Sequence, residues 1–263
     1  MTILDQILEK KKEEVQTLKQ IGLDYSLNVN QSSASLYDHF MNNKQLSVIA
    51  EIKRASPSKG DINVGMEPSE QAKLYELGGA SAISVLTDTP FFKGTMNDLA
   101  SVRQAVDLPV LNKDFVIDEI QIDRARQAGT NVVLLIAAAM DVTRLNELYQ
   151  YAVSQGIEVL LEVHNESELE AAFEVGAQII GINNRDLKTF NVDLGVTERL
   201  AERITDPTTV VVSESGIKSR EDAERVTQAG VHGILVGESL MMSGTVVESL
   251  QELQVERPSF TRQ

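Results

Sequence analysis

The sequence predicts an α/β chain folded as a closed (β/α)8 barrel carrying an N-terminal helical extension. Three observations lead there: eight short apolar runs at regular spacing, amphipathic stretches between them, and a glycine ahead of every second run. The runs are centred near residues 50, 84, 111, 134, 160, 180, 211 and 235. Being rich in valine and isoleucine, they read as strands buried on both faces, the signature of a parallel sheet covered by helices.

The repeat appears as ELGGASAISVL, RQAGTNVVLLI, FEVGAQIIGIN and TQAGVHGILVG, with Gly79, Gly129, Gly176 and Gly230 spaced 50, 47 and 54 residues apart. Each glycine ends a helical pattern, where the left-handed conformation is needed. Asn165 and Ser219 open the next helices as N-caps. Eight such units between about 48 and 253 match a closed barrel. An open doubly wound sheet is the rival, and it lacks the expected G-x-G-x-x-G after the first strand.

The chain reads as a single domain over 1–263, with an extension at 1–46, the barrel at 47–253 and a tail at 254–263. Within the extension the pattern predicts a helix over roughly 2–20, a polar loop and a short helix around SLYDHF. Periodicity leaves open whether this extension plugs the barrel's bottom, lies along its side or covers its mouth.

Composition narrows the chemistry. With no cysteine, disulfides, zinc–thiolate sites and thiol nucleophiles are excluded. A balance of 24 basic against 39 acidic residues, net −15, argues against general nucleic-acid binding. No apolar run approaches a membrane span, and the N-terminus lacks the pattern of a secretory signal, so a cytoplasmic protein is expected. His39, His164 and His232 show no metal-ligand spacing and no metal is expected, though His164 is placed to support a catalytic neighbour.

Function in this architecture sits at the carboxyl ends of the strands. There the sequence delivers Glu51 and Lys53, Lys113 and Asp114, Glu162 and His164, Asn183, Asn184 and Arg185, Glu214 and Ser215, and Gly237 and Glu238. All four odd-numbered strands end in an ionisable group. Two lysines and several carboxylates sharing one cavity can have their pKa values driven apart, giving an acid and a base near neutral pH. Gly216 and Gly237 follow the last two strands, where phosphate is commonly held by backbone amides. A long loop from about Arg54 to Ser69, containing Ser56 to Gly60, is suited to closing over a ligand. Phe91, Phe92 and Phe115 offer walls for a flat ligand.

The segments AEIKRASPSKGDI, KDFVIDEIQI, LLEVH, GINNRDL, VSESGI and LVGESLM resemble the indole-3-glycerol phosphate synthase family. The resemblance covers about 48–250, and ILDQILEKKKEEV is also similar. It implies a TIM barrel of the phosphate-binding type and an enzyme of tryptophan biosynthesis. The implied reaction is a decarboxylating, dehydrating ring closure of 1-(2-carboxyphenylamino)-1-deoxyribulose 5-phosphate, with no cofactor and no metal. The implied partner is this sugar-phosphate/anthranilate small molecule, and the expected assembly is a monomer or weak homo-oligomer.

By matching motif, the resemblance implies Lys113 as principal general acid, Lys53 as holder of the substrate carboxylate or acid in dehydration, and Glu51 and Glu162 as acid/base carboxylates. Asn183 and Arg185 would position hydroxyls and support Glu51 or Glu162, while Glu214 and Ser215 would line the ribulose. Ser56, Gly216, Gly237 and the backbone of Glu238 would take the phosphate, and Phe92, Phe115, Leu134 and Leu187 the aromatic ring. Asn112 and Lys93 depart from the family's pattern at the rim. Rival readings are a phosphoribosyl-isomerase type of barrel, which does not share the Glu51/Lys53/Lys113 trio, and a non-catalytic phosphate-binding barrel, whose signature would be a missing catalytic residue.

Overall fold

All eight apolar runs are strands, and hydrogen bonding runs from each to the next until the last closes on the first. The computed structural model describes residues 2–24 and 29–258. The strands are β1 (Ser47–Ile52), β2 (Ala82–Leu86), β3 (Val110–Lys113), β4 (Val132–Ile136), β5 (Glu158–Val163), β6 (Ile179–Asn183), β7 (Val210–Glu214) and β8 (Gly233–Val236). All pairings are parallel, and β8 closes on β1 with Ser47 opposite Gly233. A helix follows each strand, from Pro68–Leu77 after β1 to Val246–Leu253 after β8. The barrel is therefore closed, and the open-sheet alternative is excluded.

Local chemistry starts and stops the helices where the sequence indicates. Asn165 accepts from the amide of Glu168, and Ser219 forms a reciprocal capping box with Asp222. The repeat glycines lie at φ between 75° and 88°, values that side-chain-bearing residues rarely adopt. Outward strand residues such as Val48, Val133 and Leu161 pack under the helices, while inward ones such as Ile49, Leu111, Leu160 and Val212 fill the barrel's centre. Among the described residues, no helix is long and apolar enough to cross a membrane.

The two N-terminal helices take opposite ends. Helix α2 (Leu36–Asn42) plugs the end where the strands begin: Leu36 and Phe40 are fully buried against Ile49, Leu111 and Val210. Burial of each such side chain stabilises by about 1.5–3 kcal/mol. Glu158, the first residue of β5, accepts from the amide of Leu36 at 2.8 Å and from the Ser35 hydroxyl, which fixes the start of α2. Helix α1 (Ile3–Ile21) lies across the opposite end, over the mouth. The part of the predicted tail at 259–263 lies outside the described residues.

Helix α1 buries the stripe Leu4, Ile7, Lys11, Val15 and Leu18, so a lysine sits in the middle of an otherwise apolar face. Its ammonium lies 2.7 Å from Asp114, 3.0 Å from Asp88 and 2.7 Å from Glu14, and the residue is 1% exposed. Burial would lower the lysine's pKa, but Asp114, Asp88 and Glu14 outweigh it and raise it. Arg124 to Glu14 and Lys19 to Asp118 hold the same helix from the side. Removing one partner of a buried cluster leaves the others uncompensated, at a cost of about 3–5 kcal/mol. Lys11→Met is therefore expected to lose about that much in urea unfolding, whereas exposed Lys10→Met changes it by less than about 1 kcal/mol. Equal midpoints for the two variants would refute this account of α1.

Candidate active site

Side chains alternate along a strand, and at the carboxyl ends the inward positions of the odd strands are all ionisable. They are Glu51 on β1, Lys113 on β3, Glu162 on β5 and Glu214 on β7, directly above the apolar level of Ile49, Leu111, Leu160 and Val212. Neighbouring strands make room for them. A Cβ at Gly237 would stand 2.6 Å from Glu51 Oε1, and one at Gly181 would collide with Glu214 Oε1.

Lys113 Nζ lies 2.5 Å from Glu214 Oε2 and 3.1 Å from Glu162 Oε2. Lys53 Nζ lies 2.7 Å from Glu51 Oε1. Asn183 donates to Glu162 Oε1 at 3.1 Å, and His164 Nε2 is 3.2 Å from the same oxygen. His164 Nδ1 is in turn 2.9 Å from Glu168. Support for Glu162 thus comes from Asn183 and His164, while the Arg185 guanidinium donates to the Phe190 carbonyl.

Burial and neighbouring charge set the protonation states. Burial opposes the charge on Lys113, but Glu214, Glu162 and Glu51 raise its pKa well above the ordinary lysine value. Burial would raise Glu162 too, yet Lys113, His164 and Asn183 hold it well below the usual carboxylate range. Glu214 goes the other way: burial pushes it up to about 7, with Lys113 opposing and the charge on Glu162 reinforcing. Two carboxylates share one ammonium, and only one is comfortably ionised. His164 is raised to about 10, burial being outweighed by Glu162 and Glu168.

Glu51, Lys53, Ser56, Lys113, Glu162, Asn183, Arg185, Glu214, Ser215 and Glu238 line one cavity of about 170 Å3. Its apolar wall is built from Phe92, Phe115, Leu134 and Leu187, with the rings of Phe92 and Phe115 6.0 Å apart and tilted by 33°. Gly216 and Gly237 are adjacent to this lining without forming part of it: Gly216 packs against Val192, and Gly237 accommodates Glu51. Ser215 faces the cavity from a left-handed backbone (φ 65°). Asn184 braces that turn, donating to the carbonyls of Glu214 and Ser215 while accepting from Thr197.

The loop after β1 forms a small hairpin, Ala55–Ser56 against Gly60–Asp61, at the rim. It is pinned by Arg54 to Asp98, by Lys59 to Glu238 at 3.3 Å and by Asp61 to Lys93 at 2.5 Å. Lys93, one of the two departures from the family pattern, thus joins the loops after β1 and β2. Asn112, the other, lies buried behind the site and donates to Thr87, which donates to Asp114. Sequence reasoning left the place of the N-terminal helix open and did not name the roof residues Ile3, Leu4 and Ile7, and it missed the buried Lys11–Asp88–Asp114 cluster behind them. The amphipathic period of α1 was the available signal, but Lys11 is hidden in a run of three lysines.

Comparison with known proteins places the chain in a family. The family model described as indole-3-glycerol phosphate synthase matches residues 4–253. The indole-3-glycerol phosphate synthase of Bacillus cereus is 48% identical over 254 residues, covering 97% of this chain and 98% of the relative. That of Oceanobacillus iheyensis is 49% identical over 255 residues, covering 97% of each. Among solved structures, thiamine phosphate pyrophosphorylase from Pyrococcus furiosus superposes with a TM-score of 0.59 at 20% identity, covering 80% of this chain and 94% of that one. The N-acetylmannosamine-6-phosphate 2-epimerase from Clostridium perfringens gives 0.60 at 14%, covering 80% and 93%. At such identities these two likenesses speak for the barrel alone. The model match and the two synthases, each spanning nearly the whole chain, carry the assignment: the chain belongs to the indole-3-glycerol phosphate synthase family.

Proposed function

We propose that this cavity closes the indole ring of 1-(2-carboxyphenylamino)-1-deoxyribulose 5-phosphate, releasing carbon dioxide and water and leaving indole-3-glycerol phosphate. The observation that carries the reading is the Lys113 ammonium, held between Glu162 and Glu214 in a cavity walled by Phe92 and Phe115. Ring closure requires an acid at the substrate's carbonyl oxygen while the aromatic carbon attacks. Lys113 is that acid: it is buried, charged and fixed by two carboxylates. Lys53, beside Glu51, faces the substrate carboxylate, whose loss as carbon dioxide restores the aromatic ring. Dehydration then needs a proton on the departing hydroxyl and a base for the ring methylene. Lys53 and one of the carboxylates Glu51 and Glu162 supply that pair.

Binding follows the polarity of the cavity. The anthranilate ring lies against Phe92, Phe115, Leu134 and Leu187, and Glu214 and Ser215 face the ribulose hydroxyls. The phosphate sits by Ser56 and the backbone at Gly216, Gly237 and Glu238, the end of the barrel where anions meet free amides. Arg185 and Asn183 align the chain between the two ends.

Purified protein, with no metal added, is expected to turn the anilino-ribulose phosphate into a product with indole absorbance and fluorescence. No turnover, with or without magnesium, would defeat the reading. Lys113→Ala and Glu162→Gln are each expected to lower kcat by about 10²–10⁴-fold in protein that still folds, as judged by its circular dichroism. A near-wild-type rate in either would remove that residue from its role.

Glu214 adds a pH dependence with a definite sign. Its folded pKa, about 7, lies above the ordinary 4.5, so the folded state binds the extra proton between those values. Stability from this group is present below that window and is lost as pH rises through about 7. Urea titrations at acidic and neutral pH should show that Glu214→Gln lacks this component of the slope. Identical slopes in the variant and the wild type would contradict it.

A further inference from the structure

The ring closure proposed above consumes a proton. One proton goes to the carbonyl oxygen and one leaves with the hydroxyl as water, while only one is returned from the ring methylene. The substrate's carboxylate departs as neutral carbon dioxide. The balance is substrate anion plus one proton in, and indole-3-glycerol phosphate, carbon dioxide and water out. Every turnover must therefore import one proton into a cavity roofed by α1 and rimmed by the hairpin.

Beyond Glu162 the structure holds a line of contacts that the ring-closure chemistry has not used. Lys113 Nζ is 3.1 Å from Glu162 Oε2, Glu162 Oε1 is 3.2 Å from His164 Nε2, and His164 Nδ1 is 2.9 Å from Glu168 Oε2. The far end of this line opens on a second cavity, of about 600 Å3, lined by His164 and Glu168. Its other charged groups are Asp5 of α1 and Arg185, Asp186, Lys188 and Asp193 from the segment after β6. The two cavities meet at Asn183, which donates to Glu162.

We propose that His164 is the proton inlet of the site, passing one proton per turnover from the second cavity through Glu162 to Lys113. This rests on the ring-closure reading, because that reaction sets the proton demand.

The charges explain why the relay runs only when needed. With Lys113 protonated, its charge keeps Glu162 ionised, and His164 retains its own proton between two carboxylates. Once Lys113 has given its proton to the carbonyl oxygen, the strongest influence holding Glu162 ionised disappears. Glu162 then takes a proton at Oε1 from His164 Nε2. A half-turn about its terminal torsion, which is soft in glutamate, brings that proton to Lys113. His164, now neutral with its remaining proton on Nδ1, turns its ring towards the second cavity, takes a solvent proton at Nε2 and turns back, and Glu168 at Nδ1 favours the recharged ring. No electrons change hands, and one solvent proton replaces the one spent.

The test uses two variants of the full chain. His164→Gln keeps an amide donor for Glu162 but cannot carry a proton, and His164→Ala leaves space for added imidazole. For His164→Gln we expect kcat to fall roughly tenfold or more while KM stays within about twofold. For His164→Ala we expect a similar loss, reversed by imidazole in proportion to its protonated fraction as pH is varied between about 6 and 9. Wild-type kcat in His164→Gln would overturn the relay and leave the ring-closure reading standing. So would a His164→Ala defect that imidazole does not relieve, since that pattern marks a positioning role only. Absence of turnover in the wild type would instead remove the ring-closure reading itself, and the relay with it.

Discussion

The structure turns on one level of the barrel interior, where three carboxylates surround a single ammonium. Glu51, Glu162 and Glu214 all act on Lys113, and none is free to move away, because each is fixed to a strand of a closed sheet. Carboxylates at these separations repel one another, and in low dielectric that repulsion must be met by cations or by protonation. The site uses both. Lys113, Lys53 and His164 supply positive charge, and Glu214 has its pKa raised towards neutrality. This level is poor as a core and useful as an acid–base array. The stabilising apolar packing lies one level below and on the outer faces of the strands.

Roofing follows from the same constraint. An array of charges open to water would be screened, and its pKa values would relax towards their ordinary positions. Helix α1 places Ile3, Leu4 and Ile7 over the cavity. Arg124 and Asp118 hold this helix from the side, and its buried stripe has an anchor of its own. Lys11 provides it by reaching Asp88 and Asp114 just past the ends of β2 and β3.

The eight strands were legible because their periodicity is a property of each segment alone. The helix caps at Asn165 and Ser219 were legible for the same reason. The positions of Glu51, Lys113, Glu162 and Glu214 followed from them, since a strand's carboxyl end and its alternation can be counted. What could not be counted was contact between segments distant in sequence. Lys11 and Asp114 are more than a hundred residues apart, and although the period of Leu4, Ile7, Val15 and Leu18 puts Lys11 on the buried face, nothing local names its partner. The attachment of His164 to Glu162 was half visible: the i, i+2 spacing puts both on one side of β5, but the bond to Glu168 appears only once the helix turns back. Gly237 had a visible position and a hidden role, because the space it leaves belongs to Glu51 on the neighbouring strand.

The segment Lys113-Asp114-Phe115 shows how closely roof, buried ammonium and aromatic wall are coupled. Successive residues leaving a strand point to opposite sides. Lys113 turns inward to the carboxylates, and Asp114 turns to Lys11 and the Thr87 hydroxyl. Phe115 continues to the wall opposite Phe92, its amide held by Asp114. The aspartate therefore fixes the backbone from which both the ammonium and the ring project, and α1 in turn fixes the aspartate. A displacement of α1 reaches Lys113 through one covalent step and one ion pair, so the cover of the cavity and the setting of its buried ammonium cannot vary independently.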